Sequence, residues 1–411
     1  MTTMKVTKTN VVQNTANDHG NDNLQIAEAF IQKLDTAFSN ADAQQVASLF
    51  IDEGCIKDVL ALQWDHRAKK GVANIAEYLS TDAKLSLKHT AKNFVLEPAS
   101  VIAVNTYPGI PWLMGFFTFE TEIGRGRGVF RLAQDGTADP KLHTLFLGLE
   151  ELKGYEEKAG ATRSRGVEPR EPCRGLNWQD RRERMREFLD GEPAVVIIGA
   201  GTSGLMLAYQ LQQLNVRTLI LDKNERIGDN WRKRYHSLVL HDPVWFDHFP
   251  GMPFPANWPI YTPKDKLAGW MEHYAETMEL NAWMGSELRE SSWDESARQW
   301  TLKVRRSNGE ERVIKPKHCV LATGHSSEPK RHCFKGEKNF KGTIVHSSQY
   351  TSGDLYKGKN AIVVGSSNSG QDLSVDLFEH GWNVLQVQRS ETCECTEGRP
   401  AVEALWPSRR Y

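Results

Sequence analysis

The chain has 411 residues, of which 39% are hydrophobic and 25% charged, so its length predicts two or three domains with packed cores. Lys and Arg total 51 and Asp and Glu total 52, and a formal net charge of −1 argues against a nucleic-acid partner, because neutralising phosphates requires a basic surplus. No apolar run approaches the roughly 18 residues of a membrane span. Six scattered cysteines form neither a disulfide framework nor a zinc-binding spacing. We therefore predict a cytoplasmic protein of several domains, without a membrane or nucleic-acid partner.

The N-terminal third is predicted to hold a disordered tail and an α+β domain. Residues 1–22 are polar and lack the apolar segment of a signal peptide. From Asn23 to Phe50 apolar residues recur at helical spacing, and beyond Asn93 period-two segments indicate strands separated by turns. Helices followed by antiparallel strands predict an α+β domain over residues 23–153.

This domain resembles a nuclear-transport-factor-2-like cone in its element order and in the segments 37–39 and 49–50. Cones of this kind serve as enzymes, binding pockets or dimerisation modules, so one expectation is a homodimer formed through this domain. Four residues are candidates for lining a pocket: Asp58, Trp64, Asp65 and His66. An ordinary strand and loop with one buried tryptophan is the interpretation that we favour for them.

Residues 154–192 are charged and rich in arginine, with acidic residues interspersed. This composition predicts a solvated linker that ends in a short helix, from Trp178 to Leu189.

The segment after the linker has the complete pattern of a Rossmann dinucleotide-binding unit. The run from Ala194 to Ile198 predicts a strand buried on both faces of a parallel sheet, followed by a glycine turn, a helix and a second strand. Gly199 is expected to make the tight turn, Gly201 to let the backbone approach a pyrophosphate, and Gly204 to let the helix pack on the sheet. Asp222, which ends the second strand, is expected to accept hydrogen bonds from ribose hydroxyls.

From this point the chain resembles the flavin-containing monooxygenases, with their Baeyer–Villiger relatives, in a fungal and plant-like branch. Those proteins carry Gly-Gly-x-Trp close to the flavin; this chain keeps Gly228 and Trp231 and has Asp229 for the second glycine. Thr262, before Pro263, is predicted to cap a helix.

The most specific segment fits the family fingerprint of Phe-x-Gly-x-x-x-His followed by an aromatic residue, at Phe340, Gly342, His346 and Tyr350. The resemblance places His346 in the hinge between the two nucleotide domains, in a positioning role without proton transfer. It also implies that further residues lie beside FAD, namely Gly228, Trp231, Arg232, Thr323 and Gly324.

A second Rossmann unit begins at Asn360 and contains the turn Gly-Ser-Ser-Asn-Ser-Gly. Ser367 replaces the middle glycine, so we expect a looser approach of the pyrophosphate. Arg389 follows the second strand of this unit. Its guanidinium can bind the 2′-phosphate of NADP, which an aspartate or glutamate at this position would repel, so the sequence favours NADP over NAD. The alternative is that Arg389 is an ordinary surface arginine. The predicted NADP-binding residues are Gly365, Ser367, Asn368, Gly370, Arg389 and Ser390.

The fold class predicted from these motifs is α/β, with two Rossmann-type units, the second incomplete, after the α+β cone. The resemblance covers about 193–390 and implies an FAD- and NADPH-dependent monooxygenase. In the chemistry that the resemblance implies, NADPH would reduce FAD, the reduced flavin would capture molecular oxygen as a C4a-hydroperoxide, and one oxygen atom would pass to a small N-, S- or carbonyl-containing substrate. Because the flavin carries this chemistry, no catalytic triad is expected. Members of the family often have an asparagine near the flavin C4a. In this chain His241 and Asp242 occupy the corresponding region, and their role stays unassigned.

Two alternatives remain beside this function. A flavin disulfide reductase needs a redox-active cysteine pair, and Cys393-x-Cys395 has the wrong spacing for it. The second alternative is a truncated member, with a partial FAD domain over 193–335 and a truncated NADP domain over 336–411. The chain stops soon after Ser390 without a further strand or closing helix, so this alternative expects weak FAD binding and a binding or interaction role.

Overall fold

The computed structural model describes residues 19–63, 66–80, 91–107, 110–133, 139–166, 175–324, 328–356 and 359–389. The chain divides into two compact units, Met1–Glu157 with Gly398–Tyr411 and Lys158–Glu397. Several predictions lie outside the described residues: most of the N-terminal tail, Trp64, Asp65, Ser390, Cys393 and Cys395. Among the described residues, no helix is both long and apolar enough to span a bilayer.

Among its described residues, the first unit combines three α-helices with a seven-stranded sheet. Its helices are α1 (His19–Ser39), α2 (Ala43–Ser48) and α3 (Val72–Ser80). Its strands are β1 (Phe50–Val59), β2 (Lys69–Lys70), β3 (Lys92–Leu96), β4 (Ile102–Tyr107), β5 (Ile110–Glu120), β6 (Gly124–Ala133) and β7 (Leu142–Leu152). The sheet order is β2-β1-β7-β6-β5-β3, with β4 also on β5, and only the β1–β7 pair is parallel among these described strands. Helix α1 begins before the predicted start at Asn23.

Phenylalanine rings lie over glycines of the neighbouring strand in the core of this unit. Phe117 on β5 is paired with Gly128 on β6, where a Cβ would stand 2.1 Å from the ring. Conversely, Phe130 on β6 lies over Gly115 on β5, where a Cβ would stand 2.7 Å from the ring. Both rings are fully buried and belong to the core formed with the helices. The glycines of β5 and β6 therefore give the aromatic core its room.

Asp58 is a buried residue that holds the turn after β1. Its carboxylate accepts hydrogen bonds from the backbone N–H groups of Ala61 (2.9 Å) and Gln63 (2.8 Å) and from the Tyr78 hydroxyl (2.9 Å). These partners satisfy a carboxylate that is 1% exposed, so they support the structural interpretation of Asp58 rather than a pocket role. His66 is exposed.

The second unit contains five helices and nine strands among its described residues. The helices are α4 (Trp178–Arg186), α5 (Thr202–Gln213), α6 (Asp229–Arg232), α7 (Lys264–Thr277) and α8 (Asn368–Glu379). The strands are β8 (Val195–Ile198), β9 (Thr218–Leu221), β10 (Ala282–Trp283), β11 (Glu287–Asp294), β12 (Gln299–Arg305), β13 (Glu311–Ile314), β14 (His318–Leu321), β15 (Asn360–Val364) and β16 (Asn383–Val387).

Parallel strands carry both predicted nucleotide-binding regions, which confirms the α/β fold class. One sheet has the order β10-β9-β8-β14 with every pair parallel, and β15 pairs in parallel with β16. Val196 and Ile197 of β8 are fully buried, as the continuous apolar run predicts. Strands β11, β12 and β13 form a separate antiparallel sheet that the sequence analysis did not predict.

The predicted cap of α7 is wrong. Helix α7 begins at Lys264 with Pro263 at its N-cap, and no side chain caps it. Thr262 is instead fully buried, and its hydroxyl accepts a hydrogen bond from the Trp258 indole N–H at 2.9 Å. The Thr262 hydroxyl therefore accepts from the Trp258 indole and not from the first N–H groups of α7.

Candidate dinucleotide-binding sites

The first glycine turn shows three different uses of glycine. Gly199 has φ +116°, and a Cβ there would lie 2.4 Å from the Ala322 carbonyl oxygen. A Cβ at Gly204 would lie 2.0 Å from the Gly199 carbonyl oxygen, because α5 packs directly on the turn. At Gly201 the nearest atom to a Cβ is Asn230 Nδ2, at an ordinary 3.7 Å. The fold thus requires Gly199 and Gly204, whereas Gly201 leaves open space in front of the helix.

The N-terminus of α5 faces this open space. Gly201 is the N-cap and supplies no side chain, so the first N–H groups of the helix have no capping partner from that residue. Asp222 Oδ2 accepts from the Ala200 N–H at 2.8 Å, and Oδ1 accepts from the Asn224 N–H at 2.8 Å. The carboxylate holds the turn in place and keeps lone pairs for further donors. A helix N-terminus of this form suits an anionic phosphate.

Two predicted FAD residues, Thr323 and Gly324, follow Ala322, whose carbonyl oxygen lies against this turn. Ala322 follows β14, and its N–H donates to the Ile198 carbonyl at 2.8 Å. Thr323 and Gly324 come next, are exposed, and continue past the Gly199 turn, with Gly324 at φ +82°. The structure therefore brings these residues beside the first glycine turn.

The second glycine turn repeats the backbone geometry of the first. Gly365 has φ +123°, and a Cβ at Gly370 would lie 2.4 Å from the Gly365 carbonyl oxygen, as for Gly199 and Gly204. Ser367 has φ −81° and ψ 174°, against φ −78° and ψ −176° at Gly201. Any residue adopts this conformation, so Ser367 fits the turn without backbone strain. Its side chain makes no capping hydrogen bond.

Two predicted NADP residues lie at the carboxyl ends of β15 and β16. Asn368 is the first residue of α8, and its side-chain nitrogen lies 2.5 Å from Nε2 of His241. Arg389 is exposed two residues after β16. Both side chains thus stand at the sheet edge where ligands of α/β proteins bind.

The loop with Gly228 and Trp231 packs against α7. Gly228 has φ +89°, and a Cβ would lie 2.6 Å from the Ala268 carbonyl oxygen of that helix. Asp229, which replaces the family's second glycine, is buried and forms ion pairs with Arg232 (3.2 Å) and Lys233 (3.2 Å). Burial opposes its charge, but hydrogen bonds from Lys233 and Arg232 prevail and lower its pKa.

Arg232 joins this loop to α7 through an ion-pair network. Its guanidinium donates to the Ile227 carbonyl at 2.6 Å and to the Glu272 carboxylate at 2.8 Å. Glu272 also receives two hydrogen bonds from Arg226, at 3.0 and 2.8 Å. These contacts give Arg232 a protein-bracing role, while its predicted contact with FAD stays a prediction.

We expect Glu272→Gln to destabilise the protein by about 1 kcal/mol at pH 7, a value that allows for partial solvent exposure of the network. The Arg226 hydrogen bond and the two guanidinium charges lower the pKa of Glu272 below its ordinary 4.5. A lowered folded-state pKa contributes stability above the unfolded value, and that stability is lost as the pH falls through the folded value. Denaturant unfolding between pH 7 and pH 3 should therefore show that the difference in free energy of unfolding between Glu272→Gln and the unmodified protein becomes smaller as the pH falls. Glu276→Gln, on an exposed position of α7, should show no such deficit; an equal effect there would contradict the network.

The fingerprint residues shape a turn and pack beside α8. The Phe340 ring covers Gly342, where a Cβ would lie 2.6 Å away. His346 Nδ1 accepts from the Ser348 N–H at 3.1 Å and so caps the short helical turn Ser347–Gln349. Tyr350 donates its hydroxyl to Asp376 of α8. His346 thus holds its own turn in place, and its predicted positioning role in the hinge between the nucleotide domains stays a prediction.

Asp247, a carboxyl in the loop after His241, is not among the predicted site residues. Its Oδ2 is buried without a hydrogen-bond partner among the described residues. Burial raises its pKa to about 6, nearby Asp242 adds to the rise, and His241 opposes it. Its residue type alone gives no such signal, because aspartate in a polar loop ordinarily titrates near its reference value.

The described cysteines do not provide a redox centre. Cys55, Cys319 and Cys333 are free thiols, and burial raises the pKa of Cys319 on β14, which disfavours the reactive thiolate. The described part of the chain contains no cluster of three or more His, Cys, Asp or Glu residues that would hold a metal ion.

Two parallel β-α-β units with matching glycine turns define a dinucleotide-binding protein of the Rossmann class. A family model described as pyridine nucleotide-disulphide oxidoreductase matches residues 196–407. The chain belongs to this family.

Similar curated proteins include plant monooxygenases. The chain is 37% identical over 199 residues to indole-3-pyruvate monooxygenase YUCCA1 of Oryza sativa subsp. japonica, which covers 48% of each chain. It is 35% identical to probable indole-3-pyruvate monooxygenase YUCCA3 of Arabidopsis thaliana, over 47% of this chain and 46% of that protein. The chain thus spans about half the length of these relatives.

Among solved structures, a flavin-containing monooxygenase from Stenotrophomonas maltophilia is 24% identical, with a TM-score of 0.45 over 50% of this chain and 62% of that one. The curated relatives confirm the predicted resemblance to the flavin-containing monooxygenases over about half of this chain. The resemblance of the first unit to a nuclear-transport-factor-2-like cone stays a prediction.

Proposed function

We propose that the chain acts as an FAD- and NADPH-dependent monooxygenase that transfers one atom of molecular oxygen to a small N-, S- or carbonyl-containing substrate. The observation that carries the proposal is the repeated glycine turn: Gly199-Gly204 and Gly365-Gly370 have the same geometry, each at the start of a helix. An enzyme that moves electrons between two nucleotide cofactors needs two such sites. The names of the plant relatives favour a carbonyl substrate, since indole-3-pyruvate is a 2-oxo acid.

The first site fits FAD. The open space at Gly201 admits a pyrophosphate next to the backbone, and the N–H groups at the start of α5 are available to bind it. Asp222 would hold the ribose hydroxyls with the lone pairs that its two backbone contacts leave. Gly228, Trp231, Thr323 and Gly324 complete the predicted flavin surroundings.

The second site fits NADPH. Ser367 leaves the backbone path unchanged, so the N-terminus of α8 would bind the second pyrophosphate with the Ser367 hydroxyl as an added donor. Arg389 would bind the 2′-phosphate through its guanidinium, and Asn368 would lie beside the phosphates.

When bound, the flavin supplies the redox and oxygen-activating chemistry and NADPH supplies the reducing hydride. The chain's own residues bind the two nucleotides, fix their relative orientation and exclude water. Paired carboxylates or a nucleophilic triad are not part of this mechanism.

The test is to purify the whole chain, reconstitute it with FAD, and follow flavin absorbance, NADPH oxidation and oxygen consumption with amine, thioether and 2-oxo acid substrates. We expect retained flavin, and flavin reduction by NADPH in the absence of oxygen. A chain that retains no FAD, or that holds FAD which NADPH does not reduce, would overturn the proposal. Reduction of a disulfide substrate without oxygen uptake would instead indicate a disulfide reductase.

A further inference from the structure

The segment that follows the tryptophan loop packs directly on the helix of the second site. Tyr235, Leu238 and Leu373 form one buried cluster, at 3%, 7% and 7% exposure. Trp231 and Tyr350 pack against its edge. Tyr235 and Leu238 belong to the flavin side of the unit, whereas Leu373 belongs to α8. The apolar contact thus joins the two predicted nucleotide sites.

Two hydrogen bonds define the position of this contact. The Tyr235 hydroxyl donates to Asp372 Oδ2 of α8 at 2.6 Å. The His236 N–H donates to the Thr351 carbonyl at 2.8 Å, just after the fingerprint. Burial and then the Asp372 carboxylate raise the pKa of Tyr235 well above its ordinary value, so the phenol stays a hydrogen-bond donor throughout the neutral range. We call Tyr235 and Asp372 the inter-site pair.

The inter-site pair lies close along the chain to both sites. Tyr235 is four residues after Trp231, and Asp372 is four residues after Asn368, the first residue of α8. One helical turn separates positions four residues apart, so Asp372 lies about 6 Å along the axis from Asn368. A shift at the pair would therefore move the second glycine turn relative to the tryptophan loop.

We propose that Tyr235 and Asp372 are positioning residues that set the nicotinamide cofactor at its working distance and angle from the flavin. This inference rests on the proposed function. Hydride transfer requires reacting atoms about 3–3.5 Å apart, and a displacement of about 1 Å from a remote change can cost roughly 100-fold in rate. The hydrogen bond supplies direction as well as attraction, which the apolar cluster alone does not.

The alternative is that the pair is an ordinary buried hydrogen bond that only contributes stability. Tyr274 provides the matched control, because it is also fully buried and donates its hydroxyl to the Pro250 carbonyl at 2.8 Å. That bond joins α7 to the loop that contains Pro250 and does not involve α8. Tyr274→Phe and Tyr235→Phe each remove one buried hydroxyl and leave the ring in place.

The experiment uses the FAD-loaded full chain and its variants Tyr235→Phe, Asp372→Asn and Tyr274→Phe. Four quantities are measured: unfolding midpoint, dissociation constant of NADP, rate of anaerobic flavin reduction by NADPH, and the long-wavelength charge-transfer absorbance when NADP is added to dithionite-reduced protein. The last signal reports stacking of the nicotinamide on the flavin and requires no oxygen chemistry.

We expect Tyr235→Phe to reduce the flavin-reduction rate about tenfold and to diminish the charge-transfer band, with the NADP dissociation constant changed less than about threefold. Asp372→Asn keeps an acceptor for the Tyr235 hydroxyl and should retain most of both signals. Tyr274→Phe should lower the unfolding midpoint without changing either signal. Similar losses of both signals in Tyr235→Phe and Tyr274→Phe would overturn the positioning role.

The failure of this inference and that of the proposed function are distinguishable. Unmodified protein that binds FAD but shows neither reduction nor a charge-transfer band would overturn the proposed function and, with it, this inference. Unmodified protein that shows both signals, with Tyr235→Phe unchanged in both, would overturn the inter-site pair alone.

Discussion

Replacing Gly201 by alanine is expected to weaken FAD binding about 100-fold and to leave the folded second unit intact. A Cβ at this position meets no protein atom closer than 3.7 Å, and the backbone conformation suits any residue. The added methyl group instead occupies the space through which a pyrophosphate would approach the N–H groups of α5. A 100-fold loss corresponds to about 2.7 kcal/mol of binding free energy.

Two matched variants separate this effect from a general loss of structure. Gly204→Ala places a Cβ 2.0 Å from the Gly199 carbonyl oxygen and should lower the unfolding midpoint markedly. Gly269→Ala lies in α7 with no atom within 4 Å of the new Cβ, and should raise stability by about 0.5–1 kcal/mol through its higher helix propensity. Thermal unfolding and flavin titration of the three variants give the comparison. Unchanged FAD affinity in Gly201→Ala, or a stability loss as large as that of Gly204→Ala, would contradict the assignment.

The nucleotide-binding strands were predictable because their signal is local. A strand in a parallel sheet is covered on both faces, so β8 and β9 appear in the sequence as continuous apolar runs. Strand β11 was not predicted, since it is exposed along most of its length and has no alternation to detect. Strand β12 does alternate, with Leu302 and Val304 buried and Lys303 and Arg305 exposed, and this signal was missed. The glycine turns were predictable for a similar reason, because Gly204 and Gly370 each meet the carbonyl of the first glycine in their own turn, at Gly199 and Gly365.

The contacts that assemble the site were not predictable from local pattern. Tyr235 and Asp372 are 137 positions apart in sequence, and Arg232 and Glu272 are 40 apart. No periodicity connects such pairs, because their proximity follows from how β-α units pack and not from the composition of either segment. Thr262 shows the same limit: a helix-cap pattern predicted its role, and a nearby tryptophan determined it. Asp247 acquires its raised pKa through burial in the same way.

The proposed preference of the second site for NADP over NAD is predicted to rest on Arg389. Arg389→Gln is expected to weaken binding of the 2′-phosphorylated nucleotide about 10- to 100-fold, because a charge-assisted hydrogen bond to phosphate contributes about 1.5–3 kcal/mol. Binding of the nucleotide without the 2′-phosphate should stay unchanged, since its other proposed contacts are with the glycine turn and with the N-terminus of α8. Glutamine keeps hydrogen-bonding capacity and removes only the positive charge.

Calorimetric titration with 2′,5′-ADP and with 5′-ADP measures this preference directly and does not depend on bound flavin or on turnover. Arg289→Gln, which removes one positive charge from an exposed position of β11, is the matched control and should change neither affinity. A loss confined to 2′,5′-ADP in Arg389→Gln would assign the 2′-phosphate to this guanidinium. Equal affinities of both nucleotides for the unmodified protein, or an equal loss in both variants, would make Arg389 an ordinary surface arginine, and the preference for NADP over NAD would then lose its physical basis in this chain.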